Sequence, residues 1–430
     1  MFANRDSLSR SPAHELALDC LAAGIEAAHP RRAVERHCSV HGDTLTIVDR
    51  EYDLSTYDSI VVLGGGKAAD DIAAAFGTLL GDRLDGGVVV TDEPTASPGR
   101  VTVLEGEHPS PGEGSVSGAR AVLDRATAAD AQTLVIAAIA GGGSALLCAP
   151  AGGLSVDEIR AVTDGLLNAG ASIDDINTVR RACSSIKGGG LAAAAAPATV
   201  ASVLVSDVVG DDPAVIASGP TVPTRTDPAA ALGVLDRHGL DVPTVRAYLS
   251  EAGPTAPVDL DVGIHIVASV RDAIDAARGL AADRGYETCV LSTRIEGEST
   301  AVGRIHAAIG AEAADSGDPV EPPAVILSGG ETTVRVTGDG TGGPNGEFAL
   351  AAAVGLPEDA VLGAVDTDGS DGSTDVAGAL VDETVADPDA ARDALAENDS
   401  YGFLEPKGRL LRTGPTGTNV NDLRVLVLPA

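Results

Sequence analysis

A glycine turn with a lysine follows the first Val-rich run of the chain. Gly64, Gly65 and Gly66 precede Lys67, and an alanine-rich stretch follows. Glycines let the backbone approach an anion closely, and free N–H groups at the start of a helix can bind it. Ala68 stands where a P-loop has Ser or Thr, so the turn is not a Walker A motif. We expect Gly65, Gly66 and Lys67 to bind an anion; the alternative is a tight turn between strand and helix.

A second glycine turn has the same setting, between an apolar run and a short helical stretch. Gly141, Gly142 and Gly143 are followed by Ser144. The backbone N–H groups of Gly142 and Gly143 and the Ser144 hydroxyl can surround a phosphate group. The alternative is that the glycines only allow a helix to pack closely on a sheet.

Two basic residues lie beside a third glycine cluster. Lys187 directly precedes Gly188–Gly190, and Arg180 lies seven residues before Lys187. Cations next to a glycine-rich helix start suit a carboxylate or a phosphate, so we expect Arg180 and Lys187 to bind substrate. The alternative is that the arginines cover a solvated helix face.

Isolated carboxylates supply the remaining chemistry. Asp207 ends an apolar run, where it can hold Mg²⁺ or take a hydroxyl proton; the alternative is a helix cap or turn. Asp368 and Asp371 lie in the acidic run 366–375. That run lacks the flanking helices and terminal Glu of an EF-hand, so coordination of Mg²⁺ with a nucleotide fits it better than structural Ca²⁺.

The set of residues as a whole favours one reaction class. It contains backbone amides, a few cations and separate carboxylates, but no Ser–His–Asp arrangement with a nucleophile elbow and no zinc cluster. Gly338, Gly340 and Gly343 fit G-x-G-x-x-G, but no acidic partner follows on a second strand. Catalysis by positioning and charge neutralisation is typical of phosphoryl transfer.

The elements that must position these residues are strands that alternate with helices. Short Val-rich runs without polar alternation are typical of strands buried on both faces of a parallel sheet. We predict strands at 59–63, 87–91, 101–104, 133–140 and 199–206, and helices at 12–38, 68–80, 115–128, 155–169 and 188–196. This alternation predicts an α/β fold whose N-terminal domain is Rossmann-like, with a doubly wound parallel sheet.

A second α/β domain is expected after a proline-rich connection at 221–261 that contains short helices. We predict its strands at 263–268, 288–292, 324–328, 332–337, 361–365 and 424–428. Gly329 and Gly330 separate two of these runs, which favours an antiparallel hairpin and therefore a mixed sheet.

The charge of the chain excludes several partners. The net charge is −34, from 29 Lys plus Arg against 63 Asp plus Glu. Such a surface repels phosphate backbones and anionic lipids, so we expect no nucleic acid and no membrane as partner. The excess of acid, with only three lysines, is typical of a protein from a salt-loaded cytoplasm, where self-repulsion is screened. We expect a cytoplasmic, salt-adapted protein.

With these motifs in this order, the chain resembles the type-2 glycerate kinases, which carry a C-terminal MOFRL domain, and specifically those of haloarchaeal type. The resemblance extends from about residue 12 to the end. It rests on GGGKAA, HPSP, GGGSALL, INTVR, SIKGG, SDVVGDDP, IASGPTV, SGGETTV, NGEFAL, DGSDGSTD, NDSYGFL and TGPTGTNVNDL.

The resemblance implies ATP-dependent phosphorylation of D-glycerate with Mg²⁺, in a cleft between two domains at 1–255 and 256–430. It implies 2-phosphoglycerate as the product. The sequence does not decide between a monomer and a homodimer. Lys67 and Asp207 would be catalytic, Asn345 and Glu347 would bind substrate or phosphate from the second domain, and Asp207, Asp368 and Asp371 would bind metal.

One departure from the family pattern affects the expected site. Pro344 stands where the family usually has Arg, so a cation is missing, and Arg180 or Lys187 would have to replace it. Two alternatives to the kinase therefore stay open. One is an NAD(P)H-dependent hydroxypyruvate reductase, and the other is a non-catalytic sensor of glycerate or nucleotide.

The charge excess predicts salt-dependent stability. The Debye length is about 3 Å at 1 M salt and about 30 Å at 0.01 M, so dilute buffer exposes the self-repulsion of the acidic surface. We expect partial unfolding and a lower Tm in dilute buffer than in molar KCl, measured by circular dichroism. Superimposable melting curves would contradict salt adaptation.

Overall fold

The computed structural model describes residues 1–256, 260–385 and 387–430. Its contacts group Ala33–Val267 into one compact unit, here called the Rossmann-like unit. Met1–Arg32 and Ala268–Ala430 form the other, here called the mixed-sheet unit. The boundary predicted at 255/256 stays a prediction.

The first helices of the chain are α1 (Arg5–Leu8), α2 (Pro12–Ala28) and α3 (Pro30–His37). The single helix predicted at 12–38 is therefore wrong in one respect, since it is interrupted at His29. A residue before proline is disfavoured in helical conformation, and His29 has the extended angles φ −61° and ψ 130°.

The Rossmann-like unit contains a small antiparallel sheet and a large one. The small sheet consists of β1 (Cys38–His41), β2 (Thr44–Ile47) and β3 (Arg50–Asp53), which the sequence did not predict. The large sheet consists of β4 (Ser59–Gly65), β5 (Gly86–Thr91), β6 (Val101–Glu105), β7 (Thr133–Ile139), β8 (Thr199–Val205) and β9 (Val262–Ala268).

Helices connect the strands of the large sheet. They are α4 (Ala69–Leu80), α5 (Glu113–Thr127), α6 (Gly143–Leu146), α7 (Val156–Asn168), α8 (Ile173–Ala182), α9 (Gly190–Ala195), α10 (Pro228–Arg237) and α11 (Pro243–Glu251). The predicted strands and helices between 59 and 206 are confirmed to within a few residues, as are the short helices of the connection, whose residues 257–259 lie outside the described ranges.

The order of strands in the large sheet is β6-β5-β4-β7-β8-β9. It corresponds to the order 3-2-1-4-5-6 of dinucleotide-binding α/β sheets, and the pairs from β6 to β8 are parallel. Residues 263–268, predicted as a strand of the second domain, instead form β9 beside β8. The order in which successive strands are added to the sheet reverses between β4 and β7, which are themselves parallel, and ligands bind at such a switch point.

The mixed-sheet unit begins, after α1 and α2, with α12 (Val270–Asp283). Its strands are β10 (Glu287–Glu298), β11 (Ala324–Thr333), β12 (Val361–Asp366), β13 (Gly378–Asp382), β14 (Leu410–Leu411) and β15 (Asp422–Leu428). Its further helices are α13 (Ser299–Ser316), α14 (Pro344–Ala353), α15 (Pro388–Ala396) and α16 (Ser400–Leu404). The sheet has the order β10-β11-β15-β12-β13-β14.

The predicted mixed sheet is confirmed, but the predicted hairpin is wrong. β11 runs through Gly329 and Gly330 without a turn, and it pairs parallel to β10 and antiparallel to β15. Gly330 has φ +138°, and a Cβ there would collide with the backbone of Ile295, where β10 changes register. The glycines thus accommodate a close approach of two strands at an irregularity rather than a reversal.

Candidate active site

The carboxyl ends of β4, β7 and β8 bring together the first group of predicted site residues. Lys67 follows β4, the glycines 141–143 follow β7, and Asp207 lies just beyond β8. The two turns are joined directly, since the Lys67 N–H donates to the Gly141 carbonyl at 2.8 Å. The Gly66 N–H donates to the Val90 carbonyl of β5 at 3.0 Å, which fixes the first turn against the sheet.

This approach leaves no room for side chains on the two turns. A Cβ on Gly66 would meet the backbone of Ala140, and one on Gly141 would meet the carboxylate of Asp207. Gly142 has φ +77°, and a Cβ on it would lie 3.1 Å from Lys67 Cγ. The Lys67 side chain and the Asp207 carboxylate therefore lie against the same bare stretch of backbone.

The second turn also presents unused donors. Within the described residues, the main-chain N–H groups of Gly141, Gly142 and Ser144 donate to no acceptor, whereas that of Gly143 bonds to the Ala140 carbonyl at 3.2 Å. Successive free N–H groups in a turn with a left-handed residue form a concavity that binds anions.

The charges beside this turn are of opposite sign. Lys67 is exposed, and it forms no ion pair with any residue in the described ranges. Burial raises the pKa of Asp207 to about 6, although the Lys67 charge acts in the opposite direction. At neutral pH the site thus combines a free ammonium group, free amides and a carboxylate that remains mostly ionised.

Lys187 is buried and forms hydrogen bonds within the protein. Its Nζ donates to the carbonyls of Ser144 and Leu147, both at 2.8 Å, and so caps the end of α6. Burial lowers the pKa of Lys187 to about 8, and the Arg180 charge acts in the same direction.

The hydroxyl of Ser144 already donates a hydrogen bond within the protein. The Ser218 hydroxyl donates to Asn177 Oδ1 at 2.8 Å, so the 2.8 Å contact between Ser144 and Ser218 requires Ser144 to donate. The hydroxyl oxygen of Ser144 can still accept a hydrogen bond from a ligand, but the hydroxyl proton is donated to Ser218.

Besides Lys67, Arg180 is a second cation of this unit whose charged group is available to a ligand. It lines a pocket with Ser144, Lys187 and Pro109, and burial lowers its pKa. No hydrogen bond or ion pair joins its guanidinium to another residue of the described chain. Its planar fork of donors suits a carboxylate or a phosphate.

In the mixed-sheet unit, Asp371 caps the start of α14. Its two carboxylate oxygens accept the N–H groups of Asn345 and Gly346, each at 2.8 Å. Pro344 is the first residue of this helix, a favoured position because the missing N–H needs no partner there. Burial raises the pKa of Asp371 to about 7, and the hydrogen bonds act in the opposite direction.

Asn345 and Glu347 are both buried, with 1% of each exposed. Asn345 Nδ2 donates to Asp422 Oδ1 at 2.7 Å, and Glu347 Oε1 accepts from Asn398 Nδ2 at 2.8 Å. Within this unit, both side chains therefore connect α14 to neighbouring segments.

A pair of carboxyl groups stands at the end of β12. Asp366 Oδ1 accepts the Asp368 N–H at 3.0 Å. Burial, followed by the charges of Asp368 and Asp422, raises the pKa of Asp366 well above its usual value. Sequence reasoning did not select Asp366; its D-x-D spacing with Asp368 at the end of a predicted strand was the available signal.

The structure separates the predicted residues into these two groups. The Rossmann-like unit carries Gly65, Gly66, Lys67, Gly142, Gly143, Ser144, Arg180, Lys187 and Asp207; the mixed-sheet unit carries Asn345, Glu347, Asp368 and Asp371. Among the residues that could be searched, no three His, Cys, Asp or Glu side chains are grouped closely enough to hold a metal. No helix in the described ranges combines the length and apolarity needed to cross a membrane.

Comparison with known proteins identifies the family. Residues 16–250 match a domain of unknown function, DUF4147, and residues 324–422 match the MOFRL family. A D-glycerate 2-kinase of Thermotoga maritima is 38% identical over 422 residues, which cover 95% of this chain and 97% of that protein. The chain belongs to the family of MOFRL-domain glycerate kinases.

A solved structure and a further protein sequence are also similar to this chain. A crystal structure of glycerate kinase from Thermotoga maritima superposes with a TM-score of 0.86 at 36% identity, covering 96% of this chain and 99% of that one. A protein of Agrobacterium vitis, provisionally named hydroxypyruvate reductase, is 43% identical over 380 residues, or 86% of this chain and 87% of its own. The predicted family and fold class are confirmed.

The different surroundings of Lys187 and Arg180 predict opposite effects of removing each cation. Lys187→Met leaves two buried carbonyls without a donor, so we expect the free energy of unfolding to fall by about 2–4 kcal/mol. Arg180→Met removes a partly buried charge that has no partner among the described residues, so we expect no loss of stability. Urea unfolding in molar KCl measures both values, and an equal loss in the two variants would contradict the assignment.

Proposed function

We propose that this protein is a D-glycerate kinase that transfers the γ-phosphoryl group of ATP to a hydroxyl of glycerate, giving 2-phosphoglycerate. The main observation in support is the grouping at the switch point of the sheet. There, a lysine and turn amides without partners in the described chain lie beside a carboxylate. The names of the relatives from Thermotoga maritima and other organisms support the substrate.

The anion-binding role falls to Lys67, Arg180 and the two turns. Gly142 and Ser144 offer N–H groups, while Gly65, Gly66 and Gly143 keep the backbone close enough for an anion to reach them. These donors are fixed before substrate binds, so they stabilise transferring charge without reorganisation. Lys187 supports this arrangement by holding the end of α6 through two hydrogen bonds.

Asp207 is suited to orient the attacking hydroxyl. Its carboxylate lies against Gly141, beside Lys67, and a pKa of about 6 leaves it mostly ionised at pH 7. An ionised carboxylate accepts the hydrogen bond of the hydroxyl and directs a lone pair of its oxygen toward phosphorus.

The donor set also fits Mg²⁺, which proteins usually hold by one or two carboxylates together with substrate phosphates. Asp207 is such a carboxylate in the Rossmann-like unit, and Asp368, with Asp366 beside it, is such a group in the mixed-sheet unit. The oxygens of Asp371 already accept two backbone N–H groups, so it would contribute less. When bound, Mg²⁺ neutralises charge that develops on the phosphates. That both groups face one cleft stays a prediction.

A reductase is the second candidate, because the Agrobacterium vitis relative carries that name. The strand order of the Rossmann-like unit is also one that binds dinucleotides. The two activities are separated by their co-substrates. A kinase needs glycerate and ATP, whereas a reductase consumes NADH or NADPH with hydroxypyruvate.

The composition of the chain also bears on the ionic strength at which the enzyme works. The net charge of −34 supports a salt-adapted protein that works in a cytoplasm of high ionic strength. We propose that it acts on small molecules, as a monomer or a homodimer.

The proposal predicts a large kinetic effect of removing Lys67. We expect Lys67→Ala to reduce kcat/KM for glycerate phosphorylation by about 2–4 kcal/mol of transition-state stabilisation, roughly 30- to 1000-fold. Formation of ADP that depends on D-glycerate, in molar KCl, is the measurement.

Lys407→Ala is the matched control, because Lys407 is also exposed but packs on Phe403 in the mixed-sheet unit. It should leave the kinetics unchanged. Near-normal kinetics of Lys67→Ala would remove Lys67 from the site. Oxidation of NADH by hydroxypyruvate, without any glycerate-dependent ADP, would replace the kinase by the reductase.

A further inference from the structure

A histidine that the sequence-based site did not include lies on the second glycine turn. His108 follows β6, and a Cβ on Gly142 would be 3.1 Å from its Cδ2 and 3.4 Å from its Nε2. The Nε2 edge of the imidazole thus faces the same backbone as the side chain of Lys67. In the described part of the chain, Nε2 has no hydrogen-bond partner, so it is available to a ligand.

The other ring nitrogen of His108 faces a carboxylate. Asp92 directly follows β5, and its Oδ2 lies 3.9 Å from His108 Nδ1, with about a quarter of each side chain exposed. This separation is an ion-pair contact and longer than a hydrogen bond. A nearby carboxylate stabilises the imidazolium that forms when Nε2 accepts a proton, and it fixes the required tautomer once it accepts the Nδ1 proton. Separations of this size between catalytic groups often shorten when substrate binds.

We propose that His108 is the proton acceptor for the attacking hydroxyl of the substrate and that Asp92 positions it. This inference rests on the proposed function, since it assigns the acceptor within the same site. Asp207 keeps its role of orienting the hydroxyl, so the two residues are tested separately.

The transfer forms one bond to phosphorus and breaks another. The hydroxyl oxygen forms a bond to the γ-phosphorus of ATP, and the bond from that phosphorus to the bridging oxygen breaks. The leaving ADP keeps that electron pair. The hydroxyl proton moves to His108 Nε2, and the imidazolium later releases it to water.

The charges around His108 favour the neutral ring that a base requires. Burial lowers its pKa, the Lys67 charge at the end of β4 lowers it further, and Asp92 at the end of β5 raises it. Asp207, beyond β8, lies against Gly141 on the same turn. Burial and the Lys67 charge thus favour the neutral ring, and the ability of His108 to accept a proton is lost as the pH falls through its pKa.

The test is the pH dependence of kcat/KM for glycerate phosphorylation in the full-length protein. His108 must be deprotonated to accept the proton, so log kcat/KM of the wild type should fall on the acid side as this residue is protonated. His108→Asn should lower kcat by roughly 10²- to 10⁴-fold and remove the contribution of His108 from the acid-side slope. Asp92→Asn should shift the acid-side fall of log kcat/KM that reflects His108 to lower pH, because it removes the carboxylate that raises the pKa of His108.

His238→Asn is the matched control, because His238 pairs with Asp175 at 3.1 Å elsewhere in the same unit. Its pH profile should equal that of the wild type, and circular dichroism shows whether each variant is folded. A folded His108→Asn with wild-type slope and kcat would overturn the inference while leaving the kinase intact. A wild-type protein that forms no phosphoglycerate would instead overturn the proposed function.

Discussion

The close contact of two glycine turns is the constraint on which the rest of the site depends. The Lys67 N–H reaches the Gly141 carbonyl only because the positions around it carry no Cβ, as at Gly66 and Gly141. A bulkier residue at either position would separate the ends of β4 and β7. The contact places Lys67, His108 and Asp207 against one short stretch of backbone, although the three residues follow three different strands.

This geometry concentrates positive charge at the turn. Lys67 is exposed and free of ion pairs within the described ranges, and the amides of Gly142 and Ser144 add fixed partial charges beside it. Lys187, which has the same charge and a similar glycine-rich neighbourhood, is used to hold α6 in place. Of the two cations, Arg180 is the one whose charged group has no partner in the described chain. Pro344 begins α14 as an ordinary first-turn proline.

Much of the fold could be predicted from the sequence, because buried parallel strands have a distinctive apolar pattern. The strands β4, β5, β6, β7 and β8 and the turns that follow β4 and β7 were found in this way. The hairpin at Gly329 was predicted wrongly, since a glycine pair has the same appearance in a turn and in a strand beside a bulge. The position of β9 was missed because periodicity does not reveal which sheet a strand joins.

The candidate site was predictable to a smaller extent. Residue type and spacing identified Lys67 and Asp207, but they could not distinguish a free cation from one committed to the protein, as at Lys187. His108 was missed because its significance depends on Lys67, which is distant in sequence. Asp366 was missed although its spacing to Asp368 was visible, because sequence does not show that the carboxyl group is buried.

The most direct test is phosphorus NMR of the purified protein incubated with D-glycerate, ATP and Mg²⁺ in molar KCl. The structure of the site and the relatives of the chain lead us to expect a 2-phosphoglycerate resonance that grows as ATP is converted to ADP. A 3-phosphoglycerate resonance would contradict the assigned hydroxyl. A folded protein that gives no phosphoglycerate at all would contradict the central claim that these turns support phosphoryl transfer to glycerate.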